Sequence, residues 1–167
     1  MKINNQNGFT IVEVLIYVTI LTVAMVVLAS FATDVIKNAA RSRVVKEVEL
    51  NAQLTLNRLA SEVRHAQKFN SVTATEINYV DLNGVTTLLR FDSANNLVER
   101  VIGGNAETIT TSEVRITALN FNPIISGTDI KGVAIAISVR QKSVSAPAAY
   151  QHESDLATTV FPRQLLY

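Results

Sequence analysis

The chain has no cysteine among its 167 residues. That excludes disulfide stapling and Cys-x-x-Cys metal sites. Charge of one sign is also lacking: 15 Lys and Arg face 14 Asp and Glu, a net of +1. So small an excess argues against a general polyanion binder, and an aromatic share of only 6% leaves few stacking platforms for nucleic acid. The chemistry of enzymes is thin as well. There is no Gly-x-Ser-x-Gly elbow, no glycine-rich phosphate loop and no His-x-x-x-His pair. His65 falls beside an apolar helical stripe and His152 in a polar loop, where both read as packed or solvated histidines. Asp81-Leu82-Asn83-Gly84 is similar to part of a calcium loop, but the repeated acids and the distal Glu are missing and a turn accounts for it. No enzyme, metal site or cofactor is expected.

Glycine and proline are absent between Phe9 and Asn83, so nothing there punctuates a helix. Phe9 to Phe31 form a run of 23 residues whose only charge is Glu13. As a helix at ~1.5 Å per residue this is long enough to cross a hydrocarbon core of ~30 Å. Thr10, Tyr17, Thr19, Thr22 and Ser30 interrupt it only with hydroxyls, which can bond back to a helical backbone. Glu13 is the anomaly. A carboxylate at mid-bilayer costs about 2.5–3.5 kcal/mol, less near the edge, and an intramembrane acid implies a partner or a function. An ordinary secretory signal has a basic leader, a shorter apolar stretch and a cleavage site after it. Here the leader offers only Lys2, the stretch is longer, and an acid lies inside it. A plain signal anchor fits the length but not Glu13.

Gly8-Phe9-Thr10-Ile11-Val12-Glu13 resembles the processing motif of type IV prepilins and pseudopilins. The resemblance covers the leader and the apolar helix. It implies cleavage after Gly8 by a prepilin peptidase and methyltransferase on the cytoplasmic side, leaving Phe9 as a methylated N-terminus. It also implies that Glu13 meets the Phe9 ammonium of a neighbouring subunit, a pairing that a low-dielectric setting favours. Glu13 could instead be protonated or snorkel to the interface. The further implied partners are sibling pilin or pseudopilin subunits, a membrane platform protein and an assembly ATPase. The cysteine-free chain, and Ser30 where many major pilins carry a helix-kinking proline, shift the reading towards a minor subunit. The stretch Leu54 to Ala66 is similar to the helix of J-type minor pseudopilins.

Orientation is contested by charge. Lys37, Arg41, Arg43 and Lys46 follow the apolar run, which by the positive-inside rule favours the opposite topology to the cytoplasmic N-terminus that the processing motif requires. The cytoplasmic N-terminus is retained, with the globular part extracytoplasmic. The basic cluster reads as a solvated helix face, with anionic lipid, acidic neighbours or DNA as alternatives.

Downstream, Val45, Val48, Ala52, Leu56, Leu59, Val63 and Ala66 recur at steps of three or four, one face of an amphipathic helix. The periodicity predicts one continuous helix ending near Lys68, about 90 Å long, whose second half needs a sheet to cover it. Glu76–Leu82 and Val85–Phe91 flank Asn83-Gly84, read as a two-residue hairpin turn with both residues at positive φ. Leu97–Ile102 adds a third strand, and Glu113–Asn122, Gly132–Gln141 and Thr158–Pro162 read as further strands. Gly103-Gly104, Ser126-Gly127 and Ser143 to Pro147 are the loops between them. The fold class is α+β, and the resemblance implies a pilin-like fold: a leader at 1–8, a membrane and assembly helix at 9–32, an amphipathic half at 33–69, and a β-rich part at 70–167. The competing reading is a single-pass, membrane-anchored binding domain that never polymerises.

Overall fold

The structure is a computed structural model that describes residues 9–142 and 151–163. Helix α1 runs Ile11–Arg64, and eight strands follow it. The chain divides into two compact units, Met1–Arg41 and Ser42–Tyr167.

In the first unit α1 starts where Thr10 stops the amide ladder from being orphaned. The Thr10 hydroxyl accepts the Glu13 N–H at 3.3 Å, and its carbonyl accepts the Val14 N–H at 3.2 Å. Two threonine hydroxyls inside the apolar run are satisfied by their own helix. Thr19 donates to the Leu15 carbonyl at 2.7 Å and Thr22 to the Thr19 carbonyl at 2.8 Å.

In the second unit α1 packs on antiparallel strands, an α+β, pilin-like arrangement. The strands form two sheets. The first contains β1 (Ala66–Val72), β2 (Glu76–Asp81), β3 (Thr86–Asp92), β4 (Leu97–Ile102) and β5 (Asn105–Thr108), in chain order. The second contains β6 (Val114–Ser126), β7 (Asp129–Gln141) and β8 (Glu153–Val160). Single hydrogen bonds tie them together: Phe121 N–H donates to the Ala74 carbonyl and Ile116 N–H to that of Asn96, both at 2.9 Å. The core combines Val48, Ala52, Leu59, Ala60 and Val63 of α1 with Ile77, Tyr79, Leu89 and Val98 of the first sheet and Ile116, Phe121, Ile135 and Val139 of the second.

The helix ends four residues before Lys68, at Arg64, and Ala66–Val72 is a strand. The cause is visible in the register. β1 is irregular against β2 between Ala66 and Lys68 and again between Phe69 and Ser71, so Ala66 and Phe69 are both buried. Bulges have turned a period of two into a spacing of three, which imitates a helix. Arg163 N–H closes the helix end by donating to the Arg64 carbonyl at 3.0 Å.

The β2–β3 turn is also built differently from the two-residue expectation. Gly84 alone is at positive φ, +79°. Asp81 starts the turn: its carbonyl accepts from Gly84 at 3.0 Å, and its Oδ1 accepts from the amides of Asn83 and Val85, each at 2.8 Å. This is a longer turn followed by a glycine bulge. β5 escapes the sequence because all four of its residues are exposed. β8 begins at Glu153, well ahead of Thr158, since its first residues put acids on the open face. Gly127, at φ +67°, makes the β6–β7 turn. The expected loop from Ser143 to Pro147 lies outside the described residues.

Candidate processing and assembly segment

Gly8 lies outside the described residues. Phe9 is 76% exposed, and the whole apolar run behind it is bare: no residue of its most hydrophobic window is buried. Among the described residues α1 is the one helix long and apolar enough to cross a membrane. Such a surface is far larger than a soluble monomer tolerates.

Glu13 sits in the first turn of this helix, half-buried. Tyr17, one turn on, donates its hydroxyl to Glu13 Oε1 at 3.3 Å. Among the described residues no cation pairs with Glu13. Two features thus surround this acid that the apolar run by itself does not convey: the Thr10 cap and the Tyr17 hydroxyl. Their signals are the Thr10-x-x-Glu13 spacing, which has the capping-box pattern, and the i, i+4 offset of Glu13 and Tyr17. A carboxylate in the first turn also complements the positive end of the helix dipole.

On the second half of α1, Val48, Ala52, Leu59 and Val63 are fully buried, and Leu56 packs partly against the core. Val45 is half-buried. Thr55 completes this face at 0% exposure, and its hydroxyl has no hydrogen-bond partner. A polar letter hides it from any count of apolar residues.

A second acid stands at the far end of the helix, in a contrasting setting. Glu62 Oε2 accepts the Tyr79 hydroxyl at 3.0 Å, and Glu62 Oε1 accepts Arg100 Nη1 at 2.9 Å. Arg100 Nη2 reaches on to Glu107 at 2.6 Å. Arg58 donates to the Ile109 carbonyl at 3.0 Å. Burial, reinforced by the Glu62 charge, pushes the Tyr79 phenol well above its ordinary range. These bonds clamp α1 to the first sheet. Elsewhere His152 Nε2 lies 4.0 Å from Glu49 and His65 is exposed. Lys37, Arg41, Arg43 and Lys46 are each exposed on α1.

Residues 3–29 match the family model of the prokaryotic N-terminal methylation motif. No curated protein and no solved structure matches the chain. The motif is that of type IV prepilin-like proteins, a class of structural subunits that assemble with one another after processing. With the exposed apolar helix behind it, the motif is consistent with anchoring in a membrane.

Proposed function

We propose that the chain is a minor pilin or pseudopilin, a structural subunit of a type IV pilus-like or type II secretion filament. It is cut between Gly8 and Phe9, held in the membrane by the apolar half of α1, and assembled through that same surface. The observation that carries this reading is the match over residues 3–29 joined to a helix whose apolar residues find no partner among the described residues. Packing against sibling helices would remove that surface from lipid, and the Phe9 ammonium of a neighbour would supply the cation that Glu13 lacks. The minor role, J-like in kind, rests on the Leu54 to Ala66 stretch of the helix and the absence of cysteine. The globular part stands outside the cytoplasm in this scheme. A platform protein, a motor ATPase and a prepilin peptidase are its machinery.

Intact-mass measurement tests it directly. Coexpression with a prepilin peptidase should remove residues 1–8 and add a methyl group; an unchanged mass overturns the proposal. Glu13→Gln should leave membrane insertion intact and lower incorporation into filaments, read by shearing and immunoblot.

One observation favours a second reading. The Tyr17 hydroxyl and the first-turn position give Glu13 local support that needs no neighbour. A membrane-anchored binding domain that never polymerises would then suffice, and it predicts full retention of function in Glu13→Gln.

A further inference from the structure

Four strands bound the two sheets, and three of them are blunted as edges usually are. β5 has four residues. β1 carries Lys68 and two register breaks, and β6 carries Pro123 and two more. β8 has none of these devices. Its eight residues pair with β7 one for one, without a bulge, and include no Lys, Pro or Gly. Among the described residues no strand pairs with its other side. A straight, open row of backbone donors and acceptors is a template for one more strand.

The side-chain rows say what kind of strand fits. Leu156, Thr158 and Val160 continue the buried row of Ile137, Ile135 and Val133 from β7. Leu156 and Thr158 remain only half-covered. On the opposite face Glu153, Asp155, Ala157 and Thr159 are exposed. Both acids lie in the first three residues. Glu153 already accepts a bond from the Thr117 hydroxyl. The Asp155 carboxylate has no ion pair or hydrogen bond among the described residues. A strand laid beside β8 would therefore meet an apolar row on one face and an anionic end on the other.

We propose that β8 is a docking edge for an extended peptide segment of another protein, added antiparallel to it, with apolar residues beside Leu156 and Thr158 and Lys or Arg opposite Asp155 and Glu153. A second copy of this chain is the poorer occupant, because β8 itself brings two acids and no cation. Cross-strand charge pairs of this kind favour binding, and like charges directly opposite oppose it. The inference goes beyond filament assembly and stands whether or not the chain polymerises.

The test uses the full chain in detergent micelles and a labelled octapeptide, Val-Thr-Val-Thr-Val-Lys-Val-Lys, followed by fluorescence anisotropy. Saturable binding is expected, weakened about tenfold or more by Asp155→Lys and restored when the peptide's sixth residue alone, the lysine opposite position 155, is replaced by glutamate. Thr159→Lys provides a second variant on the same exposed row, with thermal melting checking that both variants fold. A peptide N-methylated at alternate residues should not bind. Equal binding of the N-methylated peptide, or indifference to both substitutions, overturns the proposal. So does a β8-to-β8 dimer trapped through Ala157→Cys, which the cysteine-free background makes clean. Exchange-protected outer β8 amides in the peptide-free chain would likewise overturn it, by showing the edge already filled by the chain itself.

Discussion

Both halves of α1 carry leucines and valines, and in the two halves these meet opposite fates. Leu21, Val23 and Leu28 of the first half are more than half exposed, while Val48, Leu59 and Val63 of the second are at 0%. The composition of the off-stripe positions separates them. In the second half Lys46, Glu49, Gln53, Asn57 and Arg64 leave one apolar face, which two sheets cover. In the first half the apolar residues run all round the helix and nothing among the described residues covers them. Each half also holds a Glu and Tyr pair, and these differ in the same sense. Glu13 has Tyr17 on its own helix. Glu62 has a tyrosine and an arginine brought from strands. One half is completed by its own chain, and the other is left for a different environment to complete.

Truncating one leucine in each half breaks the comparison most severely. Leu59→Ala should destabilise the globular unit by about 2–5 kcal/mol, the range for a fully buried leucine leaving a cavity. Leu21→Ala should leave that unit's unfolding unchanged, since the Leu21 side chain is 55% exposed. Chemical denaturation in detergent, read by near-ultraviolet circular dichroism, checks both. A comparable loss in Leu21→Ala would show that the two halves are not energetically separate.

Removing the second acid is next in size. Glu62→Ala takes the acceptor from Tyr79 and one carboxylate from Arg100, and should cost about 1–2 kcal/mol after allowing for its partial exposure. The alkaline limb carries the sign. The folded Tyr79 phenol titrates above its unfolded value of about 10, so its contribution is intact below that pH and is lost as pH rises further. Denaturant midpoints from pH 9 to 11 should fall more in the wild type than in Tyr79→Phe. Glu13→Ala, by contrast, should leave the midpoint of the globular unit where it is.

Thr55 gives a smaller effect of opposite sign. Its hydroxyl is buried without a partner, so Thr55→Val should stabilise by about 1 kcal/mol by removing the desolvation cost while keeping the shape. The residue also marks where sequence reading stops. The α+β class, the long helix and the processing motif are all legible, because each depends on local patterns of residue type. Strands β2, β3, β4, β6 and β7 are legible for the same reason, to within a few residues. What is hidden depends on partners distant in sequence. Thr55 looks polar until the sheets enclose it. β1 looks helical until bulges against β2 explain the spacing of Ala66 and Phe69. The Glu62 clamp needs Arg100, 38 residues away. At the segment that matches the methylation motif, the identity of the acid is legible from Gly8 to Glu13, whereas the Thr10 cap and Tyr17 contact require the start of the helix to be placed.

The smallest expected effect lies at the end of the second half, where the structural support is a turn. Ala66, just past the helix, pairs with Asp81, and Asp81 holds the β2–β3 turn by accepting from Val85 and Asn83. The Val85 amide bond, followed by those of Asn83, draws the Asp81 carboxyl below the usual carboxylate range. A depressed folded value means that this stabilisation is complete above the ordinary value of about 4 and is lost as pH falls through the lower, folded one. Protection of the Asn83 and Val85 amides should therefore decline on acidification below about pH 4, while amides in the first half of α1 keep theirs. Asp81→Asn retains an acceptor oxygen without the titration and should flatten the response. An equal acid-driven loss in Asp81→Asn would assign the weakening to another group and leave the turn as a passive connector.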